Sequence, residues 1–232
     1  DDPADSLSAH AAIRASSLRT RVYPTFRPDR ALDVHLPAVF NPWVDRLSAT
    51  ANTDIVRFPD FLQALRRRHQ DFHDAGGRLS DHGLSRCPVG ECTDAEASAI
   101  FDEARSGRAV DAESADRFAS HMMMFFGQLD ASKGWTKQLH LGARRNASAR
   151  ALREQGRDTG YDSIGDVSQA DALGVYLDRL DGENALPKTI VYNLNPADNY
   201  VFASMIGNFQ DGSVPGKIQF GSGWWFLDQK EG

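Results

Sequence analysis

Five short runs with the character of β-strands alternate with helical segments, and this alternation constrains the fold more than any other feature of the chain. The runs cover residues 21–27, 78–83, 135–142, 188–195 and 217–226. Strands that alternate with helices pair in parallel through right-handed crossovers. The sequence therefore predicts an α/β fold, either a doubly wound sheet or part of a (β/α)₈ barrel.

The segments between the runs carry apolar residues at helical spacing. One predicted helix, over residues 58–72, ends at Gly76-Gly77, and Asp111 is a plausible N-cap for a later one. That later helix includes the apolar cluster Met122–Phe126, which its spacing predicts to be buried. Further apolar helical faces are predicted over residues 173–180 and 201–209.

Four of the five runs end in polar or ionisable residues, and the fifth ends in glycines followed by two tryptophans. In parallel α/β folds the carboxyl ends of the strands form the ligand-binding face. We therefore expect a site for a polar ligand there. The candidate residues are Arg27, Asp29, Asp81, His82, His140, Asn193, Asn195, Trp224 and Trp225.

Each candidate also has a purely structural interpretation. Arg27 could pair with Asp29 at a turn, Asp81 and His82 could form a hydrogen-bonded pair, and His140 could be a satisfied core residue. Asn193 and Asn195 are more typical of turn and cap positions. Two tryptophans after Gly-Ser-Gly can be packing residues or a platform on which a sugar stacks. Arg144 and Arg145 follow His140, which favours an anionic ligand nearby.

Composition excludes several classes of function. The formal net charge of −6 argues against a dedicated nucleic-acid-binding protein. No apolar run approaches the roughly 20 residues of a membrane-spanning helix. No glycine-rich phosphate-binding motif follows any predicted strand, which disfavours the nucleotide-binding forms of the fold.

The cysteines and the two ends of the chain bear on its cellular context. Cys87 and Cys92 lie in a loop-like stretch without a second Cys/His pair at zinc-finger spacing, so we expect two free thiols in a cytoplasmic protein. The chain starts at Asp1 without an initiator Met or a secretory signal. Neither end has the character of a natural terminus, so we expect the sequence to be part of a longer chain.

Seven ordered motifs resemble those of the uronate (glucuronate) isomerase family of the amidohydrolase superfamily. Each motif alone is modest, but together, in order and over nearly the whole chain, they are highly specific. The motifs are Asp1-Asp2-Pro3, Phe26-Arg27-Pro28-Asp29, Ser80-Asp81-His82, His140–Asn146, Leu186–Ile190, Met205–Gln210 and Gly221–Phe226.

The resemblance implies a fold and a reaction. The fold is a (β/α)₈ barrel that carries one divalent metal, usually taken as zinc. The reaction interconverts D-glucuronate with D-fructuronate, and D-galacturonate with D-tagaturonate, by aldose–ketose isomerisation through a cis-enediol. The implied partner is a hexuronate substrate. The resemblance leaves open whether the protein forms a homo-oligomer.

The resemblance also implies roles for individual residues. Arg27 matches an arginine near the substrate carboxylate, which a guanidinium can hold bidentately. His140 matches a histidine that either binds the metal or contacts a substrate hydroxyl. The tryptophans Trp224 and Trp225 match residues that wall the site. Four further residues match motif positions of the binding site without an assigned role: Asp29, Asp81, His82 and Arg145.

Parts of the family pattern are missing from this sequence. Neither the His-x-His metal pair of the family's first strand nor the Asp-x-Arg of its last strand occurs. We therefore expect residues 1–232 to be a partial barrel domain that contains the third to seventh strands, lacks the first, second and last, and is inactive alone. Two alternatives remain: a metal-dependent hydrolase of the same superfamily and a sugar-acid binding module without catalysis.

Overall fold

The computed structural model describes residues 1–225, in which helices alternate with the strands of a parallel sheet. The helices are α1 (Ser8–Ala15), α2 (Pro37–Ala51), α3 (Phe58–Asp74), α4 (Asp94–Arg105), α5 (Ala112–Ser132), α6 (Ala149–Gln155), α7 (Ala170–Gly182) and α8 (Asn199–Gly207). The strands are β1 (Leu79–Leu84), β2 (Thr136–Leu141), β3 (Ala143–Arg144), β4 (Ser163–Ile164), β5 (Lys188–Asn193) and β6 (Ile218–Phe220). Single 3₁₀ turns cover Asp29–Leu32 and Pro196–Asp198.

The main sheet has four parallel strands in the order β1-β2-β5-β6. Helices connect its successive strands, which confirms the predicted α/β class with parallel pairing. The short strands β3 and β4 form a separate antiparallel pair. The last predicted run, 217–226, contains β6, and its final residue lies outside the described part of the chain.

The first predicted run does not form a full strand. Only Phe26 pairs with the sheet, through an isolated parallel bridge to Ser80 at the outer edge of β1. The amide of Phe26 donates to the carbonyl of Leu79, and the amide of Asp81 donates to the carbonyl of Phe26. Pro24 has no amide hydrogen to extend this pairing. The bridge is nevertheless sufficient to place the following residue, Arg27, beside β1.

The two faces of the sheet differ in burial. One face is buried against the helices and carries alternate residues of each strand, including Lys137, Leu139 and Val191. The intervening residues, such as Gln138, His140 and Tyr192, are only partly buried. Since successive strand residues point to opposite faces, Asp81 and its neighbour His82 lie on different sides of the sheet.

The predicted helices over residues 58–72 and 173–180 and the buried cluster of α5 are confirmed, whereas α8 ends at Gly207, short of the predicted residue 209, and fully buries only Phe202. Helix α3 buries Phe58, Phe61, Leu65 and Phe72, and α5 buries the whole Met122–Phe126 cluster. The side chain of Asp111 accepts a hydrogen bond from the amide of Ser114 and so caps α5. The aromatic ring of Phe26 makes edge contacts with Phe72 and Phe126, which join α3 and α5 to the sheet edge.

Within residues 1–225, no helix combines the length and the apolar character that crossing a bilayer requires.

Candidate active site

Arg27 lies between two carboxylates at the edge of β1. Its Nε atom is 3.3 Å from Oδ2 of Asp29 and 3.4 Å from Oδ2 of Asp81. Burial alone would lower the pKa of Arg27, but the charges of these two aspartates raise it. Because both contacts are made by Nε, and 45% of the side chain is exposed, the terminal nitrogens of the guanidinium remain available to an anion.

A glycine makes room for two guanidinium groups. A Cβ atom at Gly83 would lie 2.5 Å from Nη2 of Arg27 and 3.5 Å from Nη2 of Arg145. The two arginines therefore approach the same point over β1, although they are far apart in the sequence. Two contacts position Arg145. Its Nη1 atom is 3.3 Å from Oδ2 of Asp162, whose side chain is buried, and its guanidinium lies 4.5 Å from the ring centre of Trp225.

His140 is enclosed by aromatic rings and a carboxylate. Its ring stacks on Tyr192 with centroids 4.3 Å apart, and Trp224 lies 4.6 Å away at a tilt. Its Nδ1 atom is 2.7 Å from Oδ1 of Asp81. The geometry is not that of a hydrogen bond, and this buried oxygen has no hydrogen-bond partner in the described chain. Because the oxygen is buried against the imidazole, this contact ties Asp81 to His140.

Asp29 links the arginine to the buried side of the sheet. Its Oδ1 is 3.1 Å from Nδ1 of His82, and its Oδ2 accepts a 2.9 Å hydrogen bond from the amide of Gly83. Burial would raise the pKa of Asp29, but His82, Gly83 and Arg27 together lower it. Asp29 is therefore ionised at neutral pH and gives Arg27 a fixed counter-charge.

A cavity of about 560 Å³ opens on this cluster. Its walls carry five carboxylate and four guanidinium groups, which suits a small, polar ligand. The lining residues are Asp1, Asp2, Asp5, Arg27, Asp29, Arg30, Arg46, Arg145 and Asp158.

The structure brings most of the predicted site residues together. Arg27 contacts both Asp29 and Asp81, and Arg145 lies beside it. Asp81 in turn contacts His140, whose ring contacts Trp224. Asn193 and Asn195 are instead a strand-end and a cap residue, as their structural interpretation predicts: Asn195 accepts from the amide of Ala197. The site roles of the other candidates stay predictions.

His82 occupies a different position from the other candidates. Its side chain is fully buried on the helix-covered face and does not line the cavity. Of the two structural pairings considered from the sequence, Arg27 with Asp29 is present, whereas His82 pairs with Asp29 rather than with Asp81. Any influence of His82 on a ligand must therefore pass through Asp29.

Three residues of the site were missed from the sequence. Tyr192 supports the ring of His140, Gln138 donates a 2.9 Å hydrogen bond to the Tyr192 hydroxyl, and Gly83 admits the two arginines. Two of them could have been recognised from strand alternation. Gln138 lies two residues before His140 on the same predicted strand, and Tyr192 lies on the next predicted strand, so both can share a face with His140. The importance of Gly83 depends on side chains from two other segments.

The described residues do not form a metal site by themselves. No group of three or more His, Cys, Asp or Glu side chains in residues 1–225 is arranged to hold an ion. Asp81 and His140 offer two donors at most, whereas zinc sites use three or four protein ligands. Both cysteines are free, as predicted, and Cys87 is buried.

Comparison with known proteins gives a consistent result. A family model described as glucuronate isomerase matches residues 1–232. A curated uronate isomerase of Solibacter usitatus is 64% identical over 231 residues, which cover 100% of this chain and 50% of that protein. A second, from Phocaeicola vulgatus, is 49% identical over 232 residues with the same coverage. The chain thus spans about half the length of these relatives.

Solved structures agree with the sequence matches. The crystal structure of a uronate isomerase from Thermotoga maritima superimposes with a TM-score of 0.90 at 27% identity, over 99% of this chain and 49% of that one. A glucuronate isomerase from Caulobacter crescentus gives 0.85 at 30% identity, over 97% and 46%. Since the family model matches the entire sequence, this chain belongs to the glucuronate isomerase family.

Proposed function

We propose that this chain supplies the carboxylate-binding part of a uronate isomerase active site. The reaction would interconvert D-glucuronate with D-fructuronate and D-galacturonate with D-tagaturonate. The observation that carries the proposal is the approach of two guanidinium groups, from Arg27 and Arg145, to one point above Gly83 beside His140. Family membership supports the assignment of a hexuronate as the anion.

Arg27 binds the substrate carboxylate in this proposal. Asp29 and Asp81 hold its Nε side, so the terminal nitrogens face the cavity in a fixed plane. A planar fork with two donors matches a carboxylate bidentately. Arg145 adds a second positive charge at the same point, and its contact with Asp162 limits how far it can move.

His140 contacts the sugar at a hydroxyl. Aldose–ketose isomerisation moves a proton between C2 and C1, which requires a base and polarised oxygens. Tyr192 and Trp224 fix the plane of the His140 ring, and Asp81 lies against its Nδ1. A histidine placed in this way can hold or move a proton at a substrate oxygen.

The metal enters the proposal only with further ligands besides those that residues 1–225 supply. We propose a divalent metal, zinc by family resemblance, whose chemistry would be to polarise the carbonyl and hydroxyl oxygens of the substrate. The described residues supply too few donors to hold it. We therefore propose that residues 1–232 alone are inactive.

We also propose that the sheet is one wall of a (β/α)₈ barrel. One face is covered by helices, while the other carries partly buried polar and aromatic residues that include Gln138, His140 and Tyr192. The neighbouring strands are sequential and parallel, as in the wall of such a barrel. In a closed barrel these three residues would point toward its interior.

The test uses the metal-loaded full-length protein with D-glucuronate and D-galacturonate. Formation of the corresponding ketose is expected, and its absence would overturn the proposal. Arg27→Met should raise KM by tenfold or more, since a charge-assisted bidentate contact is lost. Arg27→Lys keeps the charge and loses the fork, so it should lie between wild type and Arg27→Met. Wild-type kinetics in Arg27→Met would remove its carboxylate role.

The sugar-acid binding alternative is tested on the same substrates. If the full-length protein binds glucuronate with micromolar affinity but forms no ketose with any divalent metal, the binding function replaces the enzymatic one.

A further inference from the structure

A lysine without access to solvent lies beneath the site. Lys137 is the second residue of β2, points toward the helix-covered face and is 0% exposed. Its Nζ atom is 2.8 Å from Oδ2 of Asp130, 2.9 Å from Nε2 of His82 and 3.4 Å from Oγ of Ser80. An ammonium group has three hydrogens to donate, so these three partners account for all of them.

The partner carboxylate has other donors as well. Asp130 is buried on α5, where Oδ2 also accepts a 2.6 Å hydrogen bond from Ser80 and Oδ1 lies 3.1 Å from Nε2 of His69. Burial would raise the pKa of Asp130, but the charge of Lys137 and the hydrogen bond from His69 lower it. Neutralising Asp130 therefore does not explain why Lys137 also contacts His82.

The contact with His82 determines which ring nitrogen carries the proton. An ammonium group only donates, so Nε2 of His82 must accept. Burial and the charge of Lys137 lower the pKa of His82, which keeps the ring neutral. A neutral imidazole that accepts at Nε2 carries its hydrogen on Nδ1, which lies 3.1 Å from Oδ1 of Asp29 and donates to it.

The chain of contacts continues to the arginine of the site. With Oδ1 occupied by His82, Asp29 uses Oδ2 for the amide of Gly83 and for Nε of Arg27. The other tautomer would direct the lone pair of Nδ1 at a carboxylate oxygen and push Asp29 away. The orientation of Arg27 thus depends on a proton whose position is set by a lysine on the opposite side of the sheet.

We propose that Lys137 is a positioning residue: it fixes the Nδ1–H tautomer of His82 and thereby holds Asp29 and Arg27 in the orientation that binds the substrate carboxylate. The last step rests on the proposed isomerase function. The tautomer itself does not, and can be measured independently.

The experiment is ¹⁵N NMR of the full-length protein labelled at histidine, together with steady-state kinetics on D-glucuronate. The His82 signals are assigned by their loss in His82→Gln. In the wild type we expect Nδ1 to carry the proton and Nε2 to accept. A wild-type ring with its proton on Nε2 overturns the proposal without any variant.

The double variant Lys137→Met, Asp130→Asn removes the lysine without leaving a buried unpaired carboxylate. We expect a shift toward the other tautomer of His82. We also expect KM to rise by about tenfold, because this factor corresponds to the loss of one charge-assisted hydrogen bond, and kcat to change less. Lys133→Met is the matched control, because it removes a lysine that contacts Gln70 rather than His82 and should keep the wild-type tautomer and KM. A double variant with wild-type tautomer and KM overturns the proposal.

If the double variant does not fold, a variant at Asp29, near the other end of this series of contacts, still tests the proposal. Asp29→Asn leaves Lys137 and His82 in place, so the tautomer should persist while KM rises. An unchanged KM would break the link from His82 to Arg27 and overturn the proposal. Absence of isomerisation in the wild type would contradict only the proposed function, since the NMR result stands apart from it.

Discussion

The imidazole of His140 lies flat on the phenol ring of Tyr192, with centroids 4.3 Å apart and ring planes 7° from parallel. The two residues are register partners on β2 and β5. Gln138 donates to the Tyr192 hydroxyl, and a Cβ at Gly221 would collide with the Tyr192 ring. Tyr192 is therefore fixed on two sides and in turn sets the plane of His140.

We predict that Tyr192→Leu lowers kcat on D-glucuronate by about tenfold or more, because His140 loses its stacking partner and can rotate away from its reacting position. Tyr192→Phe keeps the stack and loses only the hydrogen bond from Gln138, so it should retain most of the activity. Steady-state kinetics on the full-length protein compares the kcat of the two variants with that of the wild type. A Tyr192→Leu variant with wild-type kcat would show that the stack does not orient His140.

The sequence was sufficient for the alternation of the four main-sheet strands with helices, but not for every element. Apolar spacing in α3, α5 and α7 is strong, and each of these helices buries the face that the spacing predicts. Helix α2 was missed although Phe40, Trp43, Val44 and Leu47 have helical spacing. Pro37 and Pro42 obscured that pattern. Pro37 begins the helix, where its missing amide hydrogen costs nothing, whereas Pro42 lies inside the helix and forgoes one backbone hydrogen bond.

The candidate site was predicted only in outline. A set of polar residues near strand ends could be recognised, but alternation alone does not say which side of the sheet faces a ligand. Asp81 and His82 are adjacent in sequence and lie on opposite faces, so Asp81 contacts Arg27 and His140 whereas His82 is buried against the helices. Contacts such as Lys137 with His82 join β1 to β2, and no local pattern in the sequence encodes them.

We predict that Gly83→Ala raises KM by about tenfold with little change in kcat. A methyl group at this position would lie 2.5 Å from Nη2 of Arg27 and would push the guanidinium out of place. The matched control is Gly182→Ala in α7, where a Cβ meets no atom within 4 Å. Kinetics that are unchanged in Gly83→Ala would mean that the arginine can bind the carboxylate from a second position.

We predict that the two thiols differ in reactivity. Burial raises the pKa of Cys87 to about 12, whereas Cys92 is only partly buried and its pKa is raised less. At pH 8 a thiol-specific chromogenic reagent should modify one cysteine of this chain, Cys92, and reach Cys87 only after urea is added, because the thiolate is the nucleophile. Cys92→Ser serves as the control. Rapid labelling of Cys87 in the native protein would contradict its buried position.

The final prediction concerns stability on acidification. Burial and the charge of Lys137 lower the pKa of His82 below its ordinary value of 6.5 in the folded protein, and the hydrogen bond to Asp29 only partly offsets this. Below pH 6.5 the unfolded chain binds a proton that the folded chain does not, so the free energy of unfolding falls as the pH drops. The lowered pKa of Asp29 acts in the same direction, but only near and below its ordinary value of 3.8.

His82→Gln separates the histidine from other titrating groups, since an amide can accept from Lys137 and donate to Asp29 without taking up a proton. Between pH 7.5 and 5.5 the urea midpoint of the full-length wild type should therefore fall further than that of His82→Gln. His35→Gln, at an exposed position, should behave as the wild type does. Equal falls in wild type and His82→Gln would show that His82 does not remain neutral in the folded state, and that its contact with Lys137 is not the one that the geometry describes.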